Sequence, residues 1–162
     1  MRTRFSVACR VGPDILLTVM DDSPRILVVD DEDSVLAALR RRFERLGYEV
    51  MTASTAADGI RLISNSEIAY DVILTDMSIE DPESGIAVLD AAIQRDVLAA
   101  VIVMTAYGSV GNAVECMRRG AFDYVEKNSP AVDVFELLPQ KVEGALARRQ
   151  QDLNTVARWD QS

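Results

Sequence analysis

The 162-residue chain contains no histidine, only two cysteines, only two lysines against 15 arginines, and few aromatic residues, 6% in all. Without histidine it cannot itself supply a Ser-His-Asp or Cys-His catalytic unit, a His-ligated zinc or haem, or a phosphohistidine. Acid–base or metal chemistry must therefore run on carboxylates. Cys9 and Cys116 lie far apart with no C-x-x-C partner, which supports neither a zinc site nor a disulfide framework; reduced thiols in a cytoplasmic protein are the expectation. No apolar run approaches the ~20 residues of a membrane-spanning helix. Neither G-x-x-x-x-G-K-[ST] nor G-x-G-x-x-G occurs, so the usual nucleotide-binding loops are unsupported. The formal charge of −9 argues against non-specific binding to nucleic acid or to an anionic membrane, both of which need a net basic face.

Arg2 and Arg4 precede apolar residues in the manner of a signal peptide, but Arg10, Gly12, Pro13 and Asp14 interrupt any apolar core, so export is not expected. Residues 1–22 are expected to be an N-terminal extension outside the fold, disordered or contributed by an upstream start. Residues 23–150 read as one domain, and residues 151–162 as a C-terminal tail that either continues the last helix or frays.

Short apolar runs alternate with amphipathic stretches from Arg25 onward. Arg25 to Val29 is a β-branched run with no polar alternation, the signature of a strand buried on both faces, and it ends in Asp30-Asp31. Asp33 or Ser34 is expected to cap a helix in which Val35, Leu36, Leu39, Phe43 and Leu46 face inward and Arg40, Arg41, Arg42 and Arg45 face out, with Gly47 ending it. The cycle repeats with strands at Tyr48 to Ala53, Asp71 to Thr75, Ala100 to Met104 and Ala121 to Val125. The intervening helices cover Thr55 to Ser64, the Val88-Leu89-Ile93 segment and Val110 to Arg119, and Pro130 opens a last one that contains Pro139. Five β-α units imply an α/β fold, a parallel sheet covered by helices on both faces.

In such a sheet ligands bind beyond the carboxyl ends of the strands. The residues there are Asp30, Asp31, Asp76, Thr105 and Lys127. Each alone has a plain structural explanation as a cap, a turn former or a solvated lysine. Together they form a chemical set. Crowded carboxylates want a cation, and an all-oxygen, partly hydrated site suits Mg²⁺. A carboxylate beside Mg²⁺ is also a plausible nucleophile towards phosphorus, with Lys127 and Thr105 placed to neutralise and position the phosphoryl oxygens.

Four ordered motifs carry a family resemblance: Ile26 to Glu32, Val72 to Met77, Val103 to Gly108 and Arg119 to Lys127. The segment resembles a receiver domain of two-component response regulators, and Ala106 to Lys127 is most similar to receivers that precede enhancer-dependent transcription activators. The resemblance implies a flavodoxin-like (βα)5 doubly wound fold with strand order 2-1-3-4-5. It implies that Asp76 accepts the phosphoryl group from a sensor histidine kinase or a histidine phosphotransfer protein. Asp31, Asp76 and the backbone carbonyl of Ser78 would bind Mg²⁺, with Asp30 acting through water. Lys127 would pair with phosphoryl oxygens, Thr105 would move towards them, and Tyr124 would follow inward. Ser78 and Tyr107 stand where side chains tune hydrolysis of the phosphoryl group.

The sequence departs from the family pattern in three places. The loop from Asp76 to Pro82 is two residues longer and Pro82 to Gly85 one shorter, Asn128 stands where a proline usually follows the lysine, and Pro139 lies within the last helix. The expected function is a cytoplasmic, non-enzymatic single-domain response regulator. It would signal to an unknown downstream protein, or dimerise, through a face made by the fourth helix, fifth strand and fifth helix with Val110, Val114, Arg118, Arg119 and Tyr124. One alternative is a receiver-like module that works without phosphorylation. Another is an Asp-nucleophile phosphatase, disfavoured because Ser78 stands where the general acid is needed. The methionines Met51, Met77, Met104 and Met117 read as packing residues, and Arg40 to Arg42 as a solvated face or a kinase contact.

Overall fold

Five parallel strands and five helices form the body of the protein in the computed structural model, which describes residues 5–10, 16–20, 23–67 and 69–160. Two further strands, β1 (Phe5–Arg10) and β2 (Leu16–Met20), pair antiparallel with each other in a sheet of their own. The sequence alone suggests no element there. The body strands are β3 (Arg25–Val29), β4 (Glu49–Ala53), β5 (Val72–Asp76), β6 (Ala100–Thr105) and β7 (Asp123–Glu126). Their order β4-β3-β5-β6-β7 is the expected 2-1-3-4-5 once the hairpin is set aside, and all four pairings are parallel. The helices are α1 (Asp33–Arg45), α2 (Ala56–Asn65), α3 (Ser84–Arg95), α4 (Val110–Arg118) and α5 (Val134–Asp160).

Successive strand side chains point to opposite faces, and β3 shows the result. Leu27 and Val29 pack with Ile63 of α2 and Val88 and Leu89 of α3. Ile26 and Val28 pack with Leu39 and Phe43 of α1 and Leu138 and Val142 of α5. Burial on both faces explains why the strand runs are continuously apolar. Cys116 is the one buried side chain of α4, and its free thiol, raised in pKa by burial, lies against Met77. The side chain of Cys9 lies outside the described residues.

Several helix ends differ from expectation. The N-cap of α1 is Glu32, whose side chain makes no cap hydrogen bond and stands 3.8 Å from Lys127 Nζ, while its amide donates to the Asp30 carboxylate at 3.0 Å. Leu46, expected inward, is 53% exposed since the helix stops at Arg45 and Leu46 serves as its C-cap. Gly47 follows with φ +91, the left-handed conformation that favours glycine. Arg40, Arg41, Arg42 and Arg45 are all exposed. α5 begins at Val134, not Pro130: the Asp133 carboxylate accepts the Phe135 amide at 2.9 Å and its carbonyl accepts the Glu136 and Leu137 amides. Pro139 is accommodated inside α5, which continues through the expected tail to Asp160.

The loop between β5 and α3 sets the site's geometry. Gly85 donates its amide to the Met77 carbonyl at 2.8 Å, and a Cβ there would fall 2.7 Å from the Met77 Cα and against the Asp76 carbonyl. Those are backbone atoms that cannot yield without moving the end of β5. Gly85→Ala is therefore expected to destabilise the protein by about 1–3 kcal/mol in urea unfolding. Gly111→Ala, where nothing lies within 4 Å, should leave stability unchanged or raise it by up to about 1 kcal/mol; equal effects at the two sites would contradict this account.

Candidate functional site

The sheet backbone carries the chemical residues to one edge. The Asp30 amide donates to the Ala53 carbonyl, the Met77 amide to Met104 and the Lys127 amide to Thr105, so each strand's pairing extends to the functional position. Lys127 then turns inward. Its Nζ donates to Asp30 Oδ2 at 2.6 Å and stands 3.4 Å from Asp76 Oδ2 and 3.8 Å from Glu32 Oε1. Asp30 is fully buried and Asp76 nearly so. One ammonium thus faces three carboxylates.

The carboxylate oxygens of Asp30, Asp31 and Glu32 can all lie within 4.8 Å of one another. Glu32 was not singled out from the sequence, although its place beside Asp30-Asp31 was the available signal. Asp76 is not in that trio; it meets the trio through Lys127. Burial pushes the Asp76 carboxyl up, Lys127 pulls it down, and the Asp30 and Asp31 charges push it up again, leaving its pKa at about 6. Burial alone would lower the Lys127 pKa, but its hydrogen bond to Asp30 and the charges of Asp30, Asp76 and Glu32 outweigh that and hold it above its ordinary value.

The expected switch residues lie nearby in a defined arrangement. The buried Thr105 hydroxyl donates to the Tyr107 carbonyl at 3.1 Å and accepts the Tyr107 amide at 3.3 Å. Tyr107 itself is 87% exposed. Tyr124 is half-buried with its hydroxyl out of water and, among the described residues, without a hydrogen-bond partner. Ser78 is exposed just after β5, donating to the Pro82 carbonyl at 3.2 Å. The lengthened loop is tied down: Ile79 is buried, Ser84 Oγ accepts the Ile79 amide at 2.8 Å, and Glu80 accepts the Ala56 amide at the start of α2. Asn128 reaches the Ala106 carbonyl at 3.5 Å, and the described peptide bonds, Lys127–Asn128 among them, are trans.

The family profile described as "Response regulator receiver domain" matches residues 26–138. The photosynthetic apparatus regulatory protein RegA of Rhodobacter capsulatus is 35% identical over 118 residues, 73% of this chain and 62% of the relative. The chain spans less than two thirds of the length of RegA. The CheY-like receiver domain protein of Methanospirillum hungatei JF-1 superposes with a TM-score of 0.72 at 29% identity, covering 81% of this chain and 99% of that one. The beryllofluoride-activated NtrC4 receiver domain dimer gives 0.66 at 30% identity, covering 77% and 98%.

An acid whose pKa is raised in the folded protein stabilises it while protonated. That contribution is full below the ordinary value of 3.8 and lost as the pH rises through about 6. Without divalent cations, Asp76→Asn should therefore raise stability at pH 7 by about 1–3 kcal/mol, at ~1.4 kcal/mol per pKa unit. The gain should vanish near pH 4. Urea unfolding at both pH values checks this, and a variant less stable than wild type at pH 7 would contradict it.

Proposed function

Because the chain belongs to the response regulator receiver domain family, we propose that it accepts a phosphoryl group on Asp76 from a phosphohistidine of a sensor histidine kinase or a histidine phosphotransfer protein. The observation that carries the reading is the place of Asp76: a nearly buried carboxylate at the end of β5, 3.4 Å from the Lys127 ammonium and beside an acidic trio. An Asp76 carboxylate oxygen forms the new O–P bond as the donor's N–P bond breaks. The donor nitrogen keeps the electron pair and takes up a proton.

The donor set fits a hard divalent cation, since several carboxylates share a single ammonium and the oxygens of three of them converge. Asp31, Asp76 and the Ser78 carbonyl would hold Mg²⁺, with Asp30 acting through water and Glu32 in reach. When bound, Mg²⁺ supplies charge neutralisation for the incoming phosphoryl oxygens. Lys127, already held by Asp30, turns towards those oxygens. The Thr105 hydroxyl exchanges Tyr107 for a phosphoryl oxygen, and Tyr124 moves into the space that Thr105 leaves. Tyr107 and Ser78 border the approach of water to Asp76 and set the rate of phosphoryl loss.

The output surface is the α4–β7–α5 face. Val110 and Val114 are 82% and 45% exposed there, and Arg119 bridges Glu115 and Asp90 at 2.7 Å each, so a shift of α4 changes both its apolar surface and its ion pairs. A downstream protein is the proposed reader, and no turnover is assigned to the domain. The cytoplasm is the proposed setting; no helix among the described residues is long and apolar enough to cross a membrane.

Acetyl phosphate with Mg²⁺ should add one phosphoryl group to the wild-type protein, detectable by intact mass and mapped to Asp76. Asp76→Asn should abolish the adduct, and Lys127→Ala should leave phosphorylation detectable while uncoupling it from any change at Tyr124. Wild-type protein that remains unmodified would overturn the reading.

A further inference from the structure

α5 extends beyond the body of the protein with an apolar stripe still on it. Up to Arg149 the buried positions Leu138, Val142, Ala145 and Arg149 follow the helical period and face the core. Arg149 is held there by the Leu98 carbonyl at 2.7 Å and the Asp96 carboxylate at 2.8 Å. The same period continues into Leu153 and Val156, which are 39% and 42% exposed, with Trp159, 72% exposed, on the adjoining flank. Beside the base of this segment, at the end of the sheet away from Asp76, lies an open groove of about 330 Å³. Val97, Met117 and Phe122 form its apolar side, and Arg148, Arg149 and Asp152 its charged side.

We propose that the end of α5 pairs antiparallel with the same segment of a second copy of this chain, each copy's Trp159 lying along the other's groove. Complementarity on the helix itself points to this occupant. With a two-fold axis between Asn154 and Thr155, Leu153 faces the second copy's Val156. Asp160 then approaches the second copy's exposed Arg148, while Arg149 stays engaged with Asp96 and Leu98 of its own copy. Trp159 comes opposite Gln150, within one turn of Arg148, where an indole and a guanidinium attract each other. A parallel, in-register pairing sets Asp160 against the second copy's Asp160, and like charges repel. The antiparallel pairing is isologous and closes at two copies. The groove is of the size that takes a bulky apolar group, at the lower end of the roughly 300–1,000 Å³ seen for ligand pockets.

These residues are separate from the phosphoryl site, so the pairing stands or falls independently of phosphorylation at Asp76. Trp159 is the chain's one tryptophan, and its emission reports the contact directly. In a dilution series of the full chain, sedimentation should show dimer giving way to monomer, with Trp159 emission moving to longer wavelength over the same range. Leu153→Glu should be monomeric throughout with long-wavelength emission, and Asp160→Arg should weaken dimerisation at least about tenfold, or ~1.4 kcal/mol. With Cys9→Ser and Cys116→Ala as background, Leu153→Cys mixed with Val156→Cys should form the mixed disulfide. A monomer at every concentration, a dimer untouched by Leu153→Glu, or a dominant disulfide between two Leu153→Cys copies would each overturn the proposal.

Discussion

The 2.6 Å contact between Lys127 and the fully buried Asp30 is the constraint on which the site depends. It joins the end of the first body strand to the end of the last across 97 residues of sequence. A buried carboxylate needs a partner, and Lys127 is that partner, leaving less of its charge for Asp76. Asp76, itself nearly buried, is only partly compensated by Lys127 and is crowded by Asp30 and Asp31, and burial first and that crowding second raise its pKa to about 6. The same arrangement that disfavours its charge makes the site receptive to a cation and to a group that carries neutralising contacts with it.

Around that centre the scaffold acts chiefly to hold strand ends still. Gly85 lets the loop after β5 fold back against Met77, and the Ile79, Glu80 and Ser84 contacts anchor that loop to α2 and to the start of α3. The Thr105 hydroxyl is occupied by Tyr107, and the Tyr124 hydroxyl is buried without a partner among the described residues. A buried polar group lacking a hydrogen bond is costly, so Tyr124 gains from any rearrangement that gives its hydroxyl a partner. α4 contributes a single buried side chain to the core, which makes it the helix most free to follow such a change.

Much of this was legible in the sequence. Four of the five apolar strand runs ended at a chemical residue, so the Asp30, Asp76, Thr105 and Lys127 edge followed; the helical period placed Leu39 and Phe43 inward, and the family resemblance supplied the sheet order. What escaped were features decided by contacts distant in sequence. α1 begins at Asp33 with Glu32 as its N-cap, whose amide is held by the Asp30 carboxylate, so neither Asp33 nor Ser34 is the cap. Asp133, not Pro130, opened α5. Arg149 reads like its exposed neighbour Arg148 until its partners Asp96 and Leu98 are in place. Glu32 lay in plain view beside two aspartates, but only its reach to Lys127 shows that it belongs to the site.

The central claim is that burial and crowding by acids, relieved by a cation, govern Asp76. A carbon-detected NMR titration of the Asp76 side-chain carboxyl in the folded protein tests it most directly. The account predicts a midpoint near pH 6 without divalent cations and a fall towards or below the ordinary carboxylate range when Mg²⁺ is added. A midpoint near 4 without metal, or one that Mg²⁺ does not move, would contradict it.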